Sequence, residues 1–304
     1  MKNRWIVGTR KSDLALKQTQ QVIEALKEYT PHIEIIVHEI TTEGDQNLKD
    51  SLQDIGGKGV FVKEIEKQLL VKKIDFAVHS LKDVMPSLPK NLTIGCIPKR
   101  ASPFDCLVTS KPFRRLADLP RGARIGTNSV RRQGQLLHLR PDLKIIPIRG
   151  NIDTRIKKIS SDHLTGIILA EAGISRSKID LSNLYQLTLK GDLLPAAGQG
   201  AIAIECRSSD QDTLQLIRKI EDPGTRQAVT IERQFLKALG GSCNYPIGAY
   251  ADCKENEMIF SGMVASEDGK KLFLRKQVGT VEDGLGIATA EKLISMGALN
   301  LINN

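Results

Sequence analysis

Residues able to do chemistry gather at a few places in this chain. The stretch "DFAVHSLKDV" sets His79, Ser80, Lys82 and Asp83 at the end of an apolar run. A lone carboxylate beside a lysine stays ionised. It can be a simple ion-pair partner, or it can stabilise a cation formed during a reaction or move a proton. The stretch "LGGSCNYPIG" places Cys243 after Gly240, Gly241 and Ser242 and three residues before Pro246, where regular structure does not form easily. A turn of that kind offers its thiol outward as a soft nucleophile. Cys96, Cys106, Cys206 and Cys253 fit inert thiols better.

A second group is cationic. Arg10 and Ser12 follow "RWIVGT"; Thr127, Asn128, Ser129, Arg131 and Arg132 follow "ARIG". Arg149, Asn151 and Arg155 follow "IIPI", and Arg176 follows "IILA". In doubly wound sheets, ligands bind beyond the carboxyl ends of strands. Each residue alone has a bland reading. Ser12 and Ser129 fit helix caps, an arginine in a first turn fits a solvated side chain, and His79 fits a satisfied interior histidine. "GGKG" at 56–59 fits a flexible loop, since the phosphate-loop spacing GxxxxGK[ST] is absent. Together, so many donors call for a ligand with several carboxylates, at roughly 1.5–3 kcal/mol per charge-assisted hydrogen bond.

Composition agrees with a small anionic ligand. The chain has 304 residues and a net charge of +9. Residues 99–158 hold 15 Lys and Arg against 4 Asp and Glu, so this segment carries the whole excess. Nucleic acid is one partner to weigh. Phe104 and Phe113 are the only aromatics in the segment, too few for a base-stacking platform. No apolar run reaches the roughly 18–20 residues of a membrane span, and "MKNRWIVGTRKSD" does not read as a secretory signal. Five scattered cysteines without CxxC pairs point to reduced thiols in a cytoplasmic protein and to no metal site.

The elements that must position these groups follow from periodicity. "RWIVGT", "IEIIVHEI" and "DFAVHS" read as strands, with helices in "SDLALKQTQQVIEALKEY" and "VFVKEIEKQLLVKK". This β–α order predicts a parallel sheet. The pattern restarts with strands "DCLVTS", "ARIGT", "LKIIPI" and "TGIILA" and helices "SVRRQGQLLHLR" and "NIDTRIKKI". Two Pro/Gly-rich crossings, "CIPKRASPFD" and "LLPAAGQGA", suggest that the chain leaves one lobe, builds a second and returns with "AIAIECR" and a helix at about 210–221. From near Asp222 an α+β region follows, with a long helix, three strand-like runs and a final helix.

The motifs "GTRKSDLAL", "TTEGDQN", "GGKGVFVKEIEKQLL", "DFAVHSLKDV", "GTNSVRRQ", "RGNIDTR", "LAEAGISR", "LPAAGQGAIAIECR" and "LGGSCNYPIGAYA" run in order from about residue 8 to 251. In them the chain closely resembles the hydroxymethylbilane synthase (porphobilinogen deaminase) family. Asn128 and Ser242 stand where the family often has Ser and Gly. The resemblance implies an α/β fold of two periplasmic-binding-protein-like lobes plus a smaller α+β C-terminal domain. The boundaries would be 1–99 with 200–219, 100–199 and 220–304. It implies a transferase that joins four porphobilinogen molecules head to tail with loss of ammonia, giving hydroxymethylbilane for tetrapyrrole synthesis. It implies a dipyrromethane cofactor held as a thioether on Cys243, with Asp83 catalytic. Cofactor contacts would be Ser80, Lys82, Asp83, Thr127, Ser129, Arg131, Arg132 and Arg155. Substrate contacts would be Arg10, Ser12, Arg149, Arg155 and Arg176, and Lys58 would lie in a loop over the cleft. It also implies a cytoplasmic monomer with no nucleic-acid or membrane partner. A non-catalytic two-lobed anion binder and a nucleic-acid binder stand beside this reading; neither would carry a covalent adduct.

Overall fold

The computed structural model describes residues 2–42, 44, 59, 62–241, 245–254 and 257–302. In chain order the elements used below are β1 (Arg4–Arg10), α1 (Asp13–Tyr29), β2 (Glu34–Ile40), α2 (Lys63–Leu70), β3 (Phe76–Ser80), β4 (Leu92–Cys96) and β5 (Asp105–Thr109). Next come β6 (Arg124–Gly126), α3 (Val130–Leu139), β7 (Lys144–Ile146), α4 (Ile152–Ser161), β8 (Gly166–Ala170), α5 (Glu171–Ser177) and β9 (Tyr185–Thr188). The chain ends with β10 (Ile202–Arg207), α6 (Gln211–Ile217), α7 (Pro223–Ala238), β11 (Ile247–Lys254), β12 (Glu257–Ala265), β13 (Leu272–Gly279) and α8 (Leu285–Ser295). Two compact units result: residues 1–101 with 200–227, and residues 102–199 with 228–304.

In the first unit the sheet order is β2-β1-β3-β10-β4. β1 runs parallel to β2 and β3, but β10 runs antiparallel to both β3 and β4. The all-parallel expectation is therefore corrected. A strand that returns from a distant part of the chain is not tied to its neighbour by a right-handed crossover, and can enter in the opposite sense. β4 and β9, short strands beside Pro- and Gly-rich turns, were not anticipated. α1 starts where Ser12 Oγ accepts the Ala15 N–H at 3.4 Å. Its Val22, Ile23 and Leu26 recur at helical spacing and are buried with Trp5, Val7, Phe76 and Ile204. On the other sheet face, Ile65 and Leu69 of α2 pack with Ile40, Ile74 and Ala77. Side chains at this depth contribute about 1.5–3 kcal/mol each.

The second unit repeats the plan in the order β7-β6-β8-β5-β9. β6 is parallel to β7 and β8, and β5 is antiparallel to β8 and β9. In each sheet the antiparallel fourth strand is the one that follows a crossing. Alternation along β5 sends Leu107 to one core and Cys106 and Val108 to the other. The same unit holds an antiparallel sheet, β11-β12-β13, with Phe235 of α7 against Phe260 of β12 at 5.2 Å between ring centres. Helix α3 lies against the turn after β12. Gln133 Nε2 donates to the Glu267 carbonyl at 3.1 Å, and His138 Nδ1 lies 2.9 Å from the Gly269 carbonyl oxygen. No helix of the described residues is long and apolar enough to cross a membrane.

Candidate active site

In the first unit, β1 and β3 run parallel, so their carboxyl ends share one edge of the sheet. There Arg10, Ser12, Gln18, His79, Ser80 and Asp83 line an open pocket of about 410 Å³, together with Leu14, Ala15, Val62 and Val78. A 3-10 turn, Leu81–Asp83, ends the strand and brings Asp83 to the pocket. Asp83 is half-buried and is hydrogen-bonded to no other described residue. Ser80 is held by a residue that sequence reasoning passed over. Gln18 Nε2 donates to Ser80 Oγ at 3.0 Å, while Ser80 Oγ lies 3.2 Å from Gln18 Oε1. Gln18 is a buried amide on the apolar face of α1, four residues from both Leu14 and Val22, and that misplacement was its signal. Lys82 is half-buried beside Asp83. Lys58 lies outside the described residues.

In the second unit, β6, β7 and β8 run parallel and present their ends together. Thr127 Oγ1 accepts the Ser129 N–H at 3.2 Å, and Ser129 Oγ faces the Arg132 N–H at 3.5 Å, opening α3. Arg131 and Arg132 are buried and turn onto Asp105, a fully buried carboxylate at the start of β5. Arg131 Nη1 is 2.8 Å from Asp105 Oδ2 and also donates to the Leu194 carbonyl at 2.6 Å. Arg132 donates to Asp105 Oδ1 through Nε and Nη2, and to the Ile168 carbonyl through Nη1 at 3.0 Å. Gln199 Nε2 adds a bond to Oδ1 at 2.9 Å. Burial alone would raise the Asp105 pKa; the Arg131 and Arg132 charges overrule it and hold the carboxyl below the usual range. Asp105 was missed by sequence reasoning. Its signal was to be one of four acidic residues in the basic segment.

Asn151 caps α4, its Oδ1 accepting the Thr154 N–H at 2.8 Å, and Arg155 one turn on donates from Nε to the Gly150 carbonyl at 2.8 Å. Burial, then repulsion from Arg132 and Arg149, lowers the Arg155 pKa. Arg155 therefore feels the charges of both Arg132 and Arg149. Burial also lowers Arg176, to about 10. Arg155 keeps its charge at a cost in burial and repulsion, a cost that an anionic ligand would relieve. Ser242 and Cys243 lie outside the described residues.

Residues 5–215 match the family described as "Porphobilinogen deaminase, dipyromethane cofactor binding domain", and residues 226–295 match "Porphobilinogen deaminase, C-terminal domain". A porphobilinogen deaminase of Limosilactobacillus reuteri is 51% identical over 302 residues, covering 99% of both chains. One of Brevibacillus brevis is 49% identical over 296 residues, covering 97% of this chain and 95% of its own. Among solved structures, an arginine-specific periplasmic binding protein of Salmonella typhimurium aligns with 74% of this chain and 94% of its own, at 14% identity and a TM-score of 0.39. With both family regions present in order and half of its residues shared with a relative of equal length, the chain belongs to the porphobilinogen deaminase family.

Proposed function

We propose that Asp83 is the catalytic carboxylate of the family's reaction, the head-to-tail joining of four porphobilinogen molecules with release of ammonia. The observation that carries this is the pocket: a carboxylate bonded to no described residue lines it with Arg10, Ser12 and Ser80. Porphobilinogen carries an acetate and a propionate, so a guanidinium and a hydroxyl suit its side groups. Its aminomethyl C–N bond breaks, ammonia takes the electron pair, and positive charge spreads from the methylene to the pyrrole N–H. Asp83 accepts a hydrogen bond from that N–H and lowers the energy of the cation. A terminal ring carbon then forms the new C–C bond and loses its proton.

The donor set of the second unit fits a dipyrromethane group, whose two rings bear four carboxylates. Thr127, Ser129, Arg131, Arg132 and Arg155 would hold it there, and Ser80 and Lys82 are assigned to it in the first unit. When bound, it supplies the pyrrole carbon to which the first substrate is joined. Arg149, Arg155 and Arg176 are assigned to substrate carboxylates, as are Arg10 and Ser12 in the first unit. Cys243 is assigned the covalent thioether, a link that resists hydrolysis, and Lys58 the covering loop. Three domains, 1–99 with 200–219, 100–199 and 220–304, belong to this reading, as does a monomer in the cytoplasm. The described cysteines are free thiols, which suits a reducing compartment. Intact mass spectrometry tests it. The purified chain should carry the added mass of two pyrrole units, and Cys243→Ala should lack it. An intact adduct on Cys243→Ala overturns the attachment site.

A further inference from the structure

Three titratable side chains lie buried at the wall of the first unit's pocket, and the reaction just described uses none of them. Glu205 is fully buried in β10, and its Oε2 is 3.1 Å from Nε2 of buried His79 in β3. Its Oε1 has no hydrogen-bond partner among the described residues. Leaving a buried carboxylate oxygen unsatisfied is costly, so the group is held for a reason other than stability alone. Glu66 comes from α2, which packs against β3 and β10, and is 8% exposed. One turn earlier Val62, whose carbonyl accepts the Glu66 N–H at 2.9 Å, lines the pocket. His79 lines it too. The cluster thus backs two positions of the pocket wall.

We propose that Glu66, His79 and Glu205 are positioning residues for the reaction at Asp83, a buried cluster in which Glu66 exchanges a proton with solvent and the His79–Glu205 pair carries that change of charge to the pocket wall. The proposal rests on the reading that Asp83 serves the reaction. Burial first, and then the Glu205 charge, push the Glu66 pKa up to about 7. His79 opposes them from β3, and on its own helix Lys63 opposes while Glu64 adds to the rise. From β10, Arg207 also reaches α2, its Nη1 donating to the Leu69 carbonyl at 2.8 Å. Below about pH 7 the carboxyl is neutral. Above it, the cluster gains one negative charge behind a pocket in which a cation forms. Field of that sign lowers the barrier without requiring contact with substrate.

The test is the pH profile of ammonia release by cofactor-loaded enzyme. The wild-type kcat should rise by up to about tenfold between about pH 6 and about pH 8, the gain in ionised fraction of a group titrating midway. Glu66→Gln keeps the shape of the protonated acid, so its kcat should stay at the low-pH level across that range, with KM unchanged. A Glu66→Gln profile that rises with the wild-type midpoint overturns the proposal. If Glu66→Gln does not accumulate as folded protein, carbon-13 NMR of the glutamate carboxyls in wild-type enzyme decides. A glutamate carboxyl titrating near pH 7 supports the cluster, and no glutamate titrating above about pH 6 overturns it. Asp83→Asn, assayed alongside, separates the two readings. Normal turnover there removes the role of Asp83, whereas the Glu66→Gln profile reports on the cluster alone.

Discussion

Arg132 grips Asp105 through two nitrogens on a single oxygen, Nε at 3.1 Å and Nη2 at 2.6 Å from Oδ1. Oδ2 is left to Arg131 at 2.8 Å. One carboxylate therefore fixes two guanidiniums in place and neutralises one of their charges.

Asp105 should dominate the acid stability of the second unit. Its folded pKa lies below the unfolded value, so its contribution is full above the unfolded pKa, about 3.9, and is lost as pH falls through the folded one. Asp105→Asn leaves two buried arginines without their counter-charge and should cost about 3–5 kcal/mol. Denaturant unfolding of the variant near neutral pH should show that loss. At low pH, where the wild type has surrendered the same interaction, the two stability curves should converge. Parallel curves at all pH values would show that the carboxylate charge is not what matters.

Asp83→Asn should melt near the parent temperature, because the carboxylate is half-buried and is bonded to no described residue. Turnover should fall by about 10²–10³, the usual cost of one preorganised electrostatic contact. Asp83→Glu should keep more activity, since it retains the charge at a displaced position. Single-turnover ammonia release on loaded enzyme is the measurement, and a near-normal rate in the Asn variant assigns the charge to another group.

Arginines in the basic segment should divide into two classes. Arg149→Leu and Arg155→Leu should impair cofactor assembly or chain extension, with lysine only a partial rescue because an ammonium lacks the planar fork. Arg114 and Arg115 are exposed, and Arg115 is spent on Asp118 at 2.9 Å. Their alanine variants should differ little from wild type in activity. Equal losses in both classes would reduce the basic excess to a general surface field.

Gly134 offers a stability test away from chemistry. A methyl group there would sit 2.6 Å from the Ser266 carbonyl oxygen, where α3 meets the turn after β12. Alanine is the better helix former by about 1 kcal/mol, while overpacking against a fixed backbone atom costs about 1–3 kcal/mol. Gly134→Ala should therefore lower the melting temperature. An increase would mean that the contact yields easily.

Much of this was legible in the sequence because it is local. Ser12 and Ser129 cap the helices they precede, and the strand "DCLVT" and the helical stripe of α1 read directly. The double crossing was legible too, since Pro and Gly mark it. What escaped depends on distant partners. The sense of β10 and β5 is set by residues far along the chain, as is the pairing of Asp105 with two arginines. Gln18 and Glu205 gave only the weak signal of polar residues in apolar stripes. Polar residues at strand ends were easier to read than the buried polar groups that hold them, because burial of a polar side chain is a property of the fold.

The position of β10 between β3 and β4 has a consequence for how the protein is made. When Cys96 leaves the ribosome, β4 has no neighbour to pair with, since its partner in the sheet begins only at Ile202. At about 5–20 residues per second, the first sheet waits on the order of 5–20 s with its edge open. During that interval the nascent strand is an exposed template for pairing with other chains. The second sheet waits less, because β5 meets its partner β8 at Gly166, long before Ile202, and all five of its strands fall between Asp105 and Thr188. The lobe begun first is thus the lobe finished last, and chaperone protection during synthesis is most needed by residues near the amino terminus.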